Sequence, residues 1–223
     1  MSSQERRFDE PEIARLRERL ANHQPVEVNQ PGVRRAAVAL ILRLEAPADA
    51  DSDKPVNASH DKAAVADVGR SDAQLLFIQR AHYETDPWSG QVAFPGGREE
   101  PGDASLTATA LRETFEETGL DIRRDGKVIG QLDDLGPQTP RLPPVIVRPF
   151  VAVIGSHAAP ILSDEVAAHF WVPLAALRAD TGWRDTVVTA RGMEFTRRAF
   201  HHEGFVVWGM TERILSHFLT LLQ

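Results

Sequence analysis

Apolar residues recur along this chain at two spacings, and the two spacings predict different elements. In "PEIARLRERLA" (11–21), Ile13, Leu16 and Leu20 fall three and four residues apart, which predicts a short amphipathic helix. Asp9 and Glu12 have capping-box spacing, and Pro11 suits a first helical turn. "AAVALILRL" (36–44) is a near-continuous apolar run and predicts a strand buried on both faces. "AQLLFIQRA" (73–81), "GQVAFPG" (90–96), "VIVRPFVAVIG" (145–155) and "FVVW" (205–208) are strand-like as well. In the last segment, "GMTERILSHFLTLLQ", Ile214, Leu215, Phe218 and Leu221 share one side of an amphipathic helix. Residues 45–72 are polar, rich in Ala, Asp and Pro, and without a period, and they read as a mobile insertion. Strands and helices alternate around one set of apolar runs, so the class is α/β or α+β. The organisation expected is an N-terminal helical extension (1–32) followed by one domain (33–223) that carries the insertion.

One stretch, "FPGGREEPGDASLTATALRETFEETGL" (94–120), combines a double glycine, a turn and a helix with three acids near its end. Acids at a helix C-terminus face the negative end of the dipole. In a helix from about Asp103 to Thr118, Ala104, Ala108, Leu111 and Phe115 recur at helical spacing and are expected to form the buried stripe. Arg112, Glu113, Glu116 and Glu117 lie off that stripe, and the three carboxylates project from neighbouring parts of one face. Arg112 is four residues before Glu116 and can reach it. Such a face is a hard-oxygen site of the kind Mg²⁺ or Mn²⁺ requires, and a divalent ion offsets the repulsion. A solvated charged face is the plain alternative for any one of these acids alone. Gly96 and Gly97 allow backbone to approach such a site, Gly97 on the metal side and Gly96 on the substrate side. Pro101-Gly102 is a turn pair, Asp103 is a candidate helix cap, and Gly119 supplies a left-handed stop.

The composition narrows the partners. A formal net charge of −7 argues against nonspecific nucleic-acid binding and means that an anionic substrate needs local cations. No apolar run is long enough to span a membrane, and the first residues lack an apolar signal region. There are no cysteines, which excludes disulfides and fits a reducing, cytoplasmic setting.

With those residues in view, the stretch resembles the Nudix box. Its second half is "RETFEETGL", with Thr114 at a usually apolar position. In the first half, counting forward from Gly97 reaches Asp103 where the box has a Glu, and the spacer to Arg112 is one residue longer. The resemblance implies an α/β/α sandwich with a mixed sheet. It implies metal-dependent hydrolysis of a small-molecule diphosphate, with a homodimer left open. Glu113, Glu116 and Glu117 would bind metal or position the attacking water, and Arg112 would hold one glutamate. "LLFIQRA", "GQVAFPGG" and "VVWGMTERIL" are similar to the coenzyme A pyrophosphatase branch, which releases phosphopantetheine and adenosine 3',5'-bisphosphate. That branch has an Arg ahead of "GQVAFPGG" where this chain has Asp86. Nucleoside diphosphate sugars including ADP-ribose come second as substrates, and modified nucleoside triphosphates third. A ligand sensor without hydrolysis is the non-enzyme alternative. Arg80 is placed either to meet a phosphate or to end a strand at the surface. Tyr83 and Trp88 are candidates to stack on a base or simply to pack. Glu165 is a candidate loop acid or a helix cap, and His201 and His202 read as a solvated turn.

Overall fold

A computed structural model describes residues 11–44, 73–83, 88–136, 144–155, 158–190 and 193–223. Asp9, the 45–72 insertion and Asp86 lie outside the described residues.

The apolar runs assemble a seven-stranded mixed sheet around β1 (Arg34–Leu44). Strand β6 (Val145–Ile154) runs parallel along one edge of β1, from Arg34 opposite Val145 to Arg43 opposite Ile154. The other edge is shared. Strand β2 (Ala73–Arg80) pairs antiparallel with it at Leu42–Leu44, and the short β4 (Gly96–Arg98) pairs at Ala36–Val38. Strands β3 (Val92–Ala93) and β7 (Val166–Pro173) pair with β2, and β5 (Gly126–Gln131) pairs with β6.

The run 36–44 is apolar save for Arg43 because both faces of β1 are covered. Leu40 and Leu42 enter one core with α1 (Pro11–Asn22), α4 (Leu174–Arg178) and α5 (Gly209–Thr220). Ala37, Ala39 and Ile41 enter the other with α2 (Leu106–Thr118) and α3 (Ile122–Asp125). The architecture is therefore an α/β/α sandwich with a mixed sheet, as expected. Helix α1 is integral to it: Ile13, Leu16 and Leu20 are all buried in the first core. Among the described residues no helix is long and apolar enough to cross a membrane.

A second, three-stranded antiparallel sheet consists of β8 (Trp183–Ala190), β9 (Met193–His202) and β10 (Phe205–Val207). Its Phe200 and Val207 reach the first core. His201 and His202 end β9 and are not in a turn; Glu203 and Gly204 make the turn, with positive φ at both. A side-chain hydrogen bond between Thr186 Oγ1 and His201 Nε2 (2.6 Å) holds that histidine.

Candidate active site

Helix α2 is rotated relative to the expected stripe. Its buried residues are Leu106, Thr109, Ala110, Thr114, Glu117 and Thr118. Phe115 is 55% exposed, Ala104 is exposed, and Ala108 and Leu111 are only half-buried. At roughly 100° per residue the two sets lie on opposite sides of the helix. Small and β-branched side chains face Ala37 and Ala39 of β1, so the helix sits close to the sheet. The same rotation turns Glu113 and Glu117 inward, over the glycines of β4. Gly97 has no Cβ, and a Cβ there would overlap the carboxylate of Glu113. The backbone N–H of Gly96 donates to Glu117 Oε2 at 2.8 Å.

The N-terminal end of the helix is held differently from the expectation. Ser105, not Asp103, is the N-cap, and its hydroxyl accepts from Ala108 N–H. A Ser directly before the first apolar helical residue carries that signal. Asp103 is used elsewhere: it takes Arg112 in a two-pronged pair, Nε to Oδ1 at 3.0 Å and Nη2 to Oδ2 at 2.9 Å. It also accepts from Glu100 N–H and the Thr109 hydroxyl. The Arg112 guanidinium holds the Asp103 carboxyl well below the usual carboxylate range, and its own pKa is raised, with Asp103 the leading cause. The extra residue in the spacer leaves an acid where Arg112 needs one.

Arg112 then reaches along the helix. Its Nη1 donates to Glu113 Oε1 (3.0 Å) and to Glu116 Oε2 (2.9 Å), and its Nη2 also donates to the Arg98 carbonyl. One cation thereby orients two box glutamates. Glu117 stands apart from this clamp. Its carboxylate is 5% exposed, and burial pushes its pKa up to about 7 against the Gly96 N–H, which favours the charged form. The Glu113 charge adds to the upward shift. Burial likewise raises Glu113, opposed by Arg112.

The remaining residues arrive from β2 and from the loop before β7. Arg80 Nη1 at the end of β2 is 4.0 Å from Glu117 Oε1. Ala81 N–H donates to the Glu165 carbonyl, and the charge of Glu165 is felt at Glu117. Tyr83 donates its hydroxyl to the Asp164 carbonyl at 3.0 Å. The same loop supplies N–H groups to the end of α2: Ile161 to the Thr118 carbonyl and Ser163 to the Glu117 carbonyl. These donors, with Gly119 in the left-handed region (φ 66°), satisfy carbonyls at the negative end of the helix. Part of the cost of placing acids there is removed in this way. Trp88 lies in the turn that leads into β3, where its carbonyl accepts from Gln91 N–H. No spacing in the sequence indicated that loop 161–165 would lie along α2, nor that Gly96 would bind Glu117.

Comparison with known proteins gives the family of the chain. Residues 58–191 match the family model described as the NUDIX domain. The chain is 33% identical over 148 residues to the "Uncharacterized Nudix hydrolase NudL" of Photorhabdus laumondii, covering 66% of this chain and 77% of that one. Against the protein of the same name from Salmonella dublin, identity is 35% over 163 residues, covering 73% of this chain and 82% of that one. A solved MutT/nudix family protein from Enterococcus faecalis is 18% identical with a TM-score of 0.49, covering 100% of this chain and 75% of that one. The chain belongs to the Nudix hydrolase family and is an enzyme of the Nudix pyrophosphohydrolase type.

Proposed function

We propose that this chain hydrolyses the diphosphate of coenzyme A or a close relative, using Mg²⁺ or Mn²⁺ held by Glu113, Glu116 and Glu117. Nudix enzymes generally use divalent metals, and the donor set here fits one. Three carboxylates rise from one rigid helix, and the side-chain-free Gly97 lies against one of them. The observation that carries the reading is Glu117, a buried carboxylate with Gly96 N–H on one oxygen and Arg80 4.0 Å from the other. A buried acid so incompletely compensated is a place for a cation.

A bound divalent ion would supply charge neutralisation and a more acidic water. The chain's own residues do the positioning. Arg112 fixes the rotamers of Glu113 and Glu116 and is itself fixed by Asp103. Gly96 N–H holds Glu117 toward the same face. Arg80 brings positive charge to an acidic chain at the place where an anionic diphosphate would arrive. Phosphoryl chemistry asks chiefly for such positioning and charge compensation.

The coenzyme A assignment rests on the "LLFIQRA", "GQVAFPGG" and "VVWGMTERIL" segments. Asp86, an acid where the branch has an Arg, favours diphosphates without the extra 3'-phosphate, and this keeps ADP-ribose and related nucleotide sugars as the second reading. The test compares kcat/KM for coenzyme A, its 3'-dephosphorylated form and ADP-ribose, with products identified by mass, in wild type and in Asp86→Arg. Cleavage of the dephosphorylated form first, with the substitution shifting preference toward coenzyme A, is the expected result. Hydrolysis of ADP-ribose with neither coenzyme A compound cleaved would replace the first reading by the second.

A further inference from the structure

A separate group of ligand-type side chains lies on elements that carry none of the box. His23 directly follows α1, Asp133 stands just after β5, and His217 is on α5. His23 Nε2 is 2.9 Å from Asp133 Oδ1, and His217 Nε2 is 3.7 Å from Asp133 Oδ2. One donor atom from each of the three residues lies within 4.8 Å of the other two. The two rings meet edge to face with centroids 5.7 Å apart. The side chains are partly covered, at 16%, 33% and 29% exposure for His23, Asp133 and His217, so an ion can reach them without unfolding.

A hydrogen bond between one histidine and one aspartate would account for His23 alone. It does not account for a second imidazole, from a third segment of the chain, turned to the other oxygen of the same carboxylate. Asp133 is also oriented independently of both rings, because its Oδ1 accepts from Val26 N–H at 2.9 Å. A carboxylate fixed by an outer partner is typical support for a metal ligand. The spacing is suitable too. With metal–ligand bonds of about 2.0–2.1 Å in a tetrahedron, donor atoms stand roughly 3.4 Å apart. The His–Asp separations are 2.9 Å to Oδ1 and 3.7 Å to Oδ2, and one donor atom from each residue lies within 4.8 Å of the other two, so an ion would need to draw them only slightly closer. Two imidazoles and one carboxylate suit Zn²⁺, Co²⁺ or Ni²⁺, whereas Mg²⁺ prefers oxygen ligands alone. Three protein ligands leave a fourth position for water.

We propose that His23, Asp133 and His217 form a second metal site, for a zinc-class divalent ion, that ties α1 and α5 to the end of β5. The ion would bridge α1 and α5, which pack in the same core. Occupancy there is therefore a matter of stability and not of the box chemistry.

The experiment is a calorimetric titration of metal-free full-length protein with Zn²⁺ in excess Mg²⁺. It is run on wild type, His23→Gln, His217→Gln and the box variant Glu116→Gln, with Tm measured for each with and without Zn²⁺. One Zn²⁺ should bind wild type and Glu116→Gln alike and raise their Tm. Each histidine substitution should weaken that binding by at least the roughly 10–100-fold that even an outer-shell partner contributes. The two histidines lie on different elements, so either variant that folds normally carries the test. Zn²⁺ binding that survives both histidine substitutions unchanged, that disappears in Glu116→Gln, or that is absent in wild type overturns the proposal.

Discussion

Arg148 and Arg112 each gather acids, with different charge balance. Arg148 grips Asp134 with two bonds, Nε to Oδ1 at 2.7 Å and Nη2 to Oδ2 at 2.9 Å, and reaches Glu27 at 3.0 Å. Asp134 takes a further bond from Val28 N–H, and its side chain is 1% exposed. The Arg148–Asp134 pair itself is matched in charge and largely buried, with the exposed Glu27 at its rim. Arg112 faces Asp103, Glu100, Glu113 and Glu116, and Glu117 lies beside them with Arg80 only at 4.0 Å. One guanidinium cannot neutralise that many carboxylates. A balanced pair of this kind holds loops in place. The unbalanced one leaves negative charge in excess beside the end of β2 and loop 161–165, and under the proposed function that excess takes up a cation. Under the proposed function, charge that the fold gathers and does not compensate is what separates the two clusters.

The two clusters should therefore respond oppositely to loss of a charge. Asp134→Asn leaves the largely buried Arg148 with only the exposed Glu27 opposite it and should cost up to about 3–5 kcal/mol of stability, as breaking a buried pair does. The kcat of the protein that remains folded should not change. A denaturation curve that matches wild type would show that Arg148 is satisfied without Asp134. Glu117→Gln keeps an oxygen for Gly96 N–H and removes the charge. It should lower kcat by about two orders of magnitude or more, typical for loss of a group acting on developing charge. Stability should hold or rise, because burial of that charge is unfavourable. Near-normal turnover in this variant would remove Glu117 from the chemistry.

Asp103 belongs to the balanced half of the Arg112 cluster, and its effect should be smaller and confined to acid. Its folded pKa is depressed, chiefly by Arg112. Its contribution is thus fully present above the ordinary aspartate value, about 3.9, and is lost as pH falls through the lower folded value. Asp103→Asn should destabilise the protein at pH 7 by about 1–2 kcal/mol, the order of a charge-assisted hydrogen bond. The difference from wild type should shrink as pH falls below about 4, where the unfolded chain's aspartates protonate. Equal stability of the two proteins at pH 7 would show that Asp103 does not hold Arg112.

The strands were legible where a run was almost wholly apolar, because burial on both faces leaves few polar positions to confuse the period, Arg43 and Arg148 being the exceptions. Strands 36–44 and 145–154 are the examples. Strands β8 and β9 went unseen because their sheet is solvated on one side and carries Thr, Arg and Asp at many positions. In α2 the acids, the arginine and the stop glycine were found by spacing. The facing of the helix was not, because apolarity pointed to Ala104, Ala108, Leu111 and Phe115. The sheet instead accepts small residues, and the two glycines of β4 accept two carboxylates. Thr114 shows the same conflict: it is fully buried, and its hydroxyl has no hydrogen-bond partner among the described residues. A pattern of hydrophobicity cannot anticipate a face chosen to bury charge.

The most direct test of the metal-centred reading is the rate of diphosphate hydrolysis against free Mn²⁺, starting from chelated protein whose fold is checked by circular dichroism. Turnover should be abolished in the chelated state with the fold intact. It should return with Mn²⁺ occupancy in wild type and fail to return in Glu113→Gln/Glu117→Gln. Undiminished hydrolysis in metal-free buffer, or full recovery in the double variant, would contradict it.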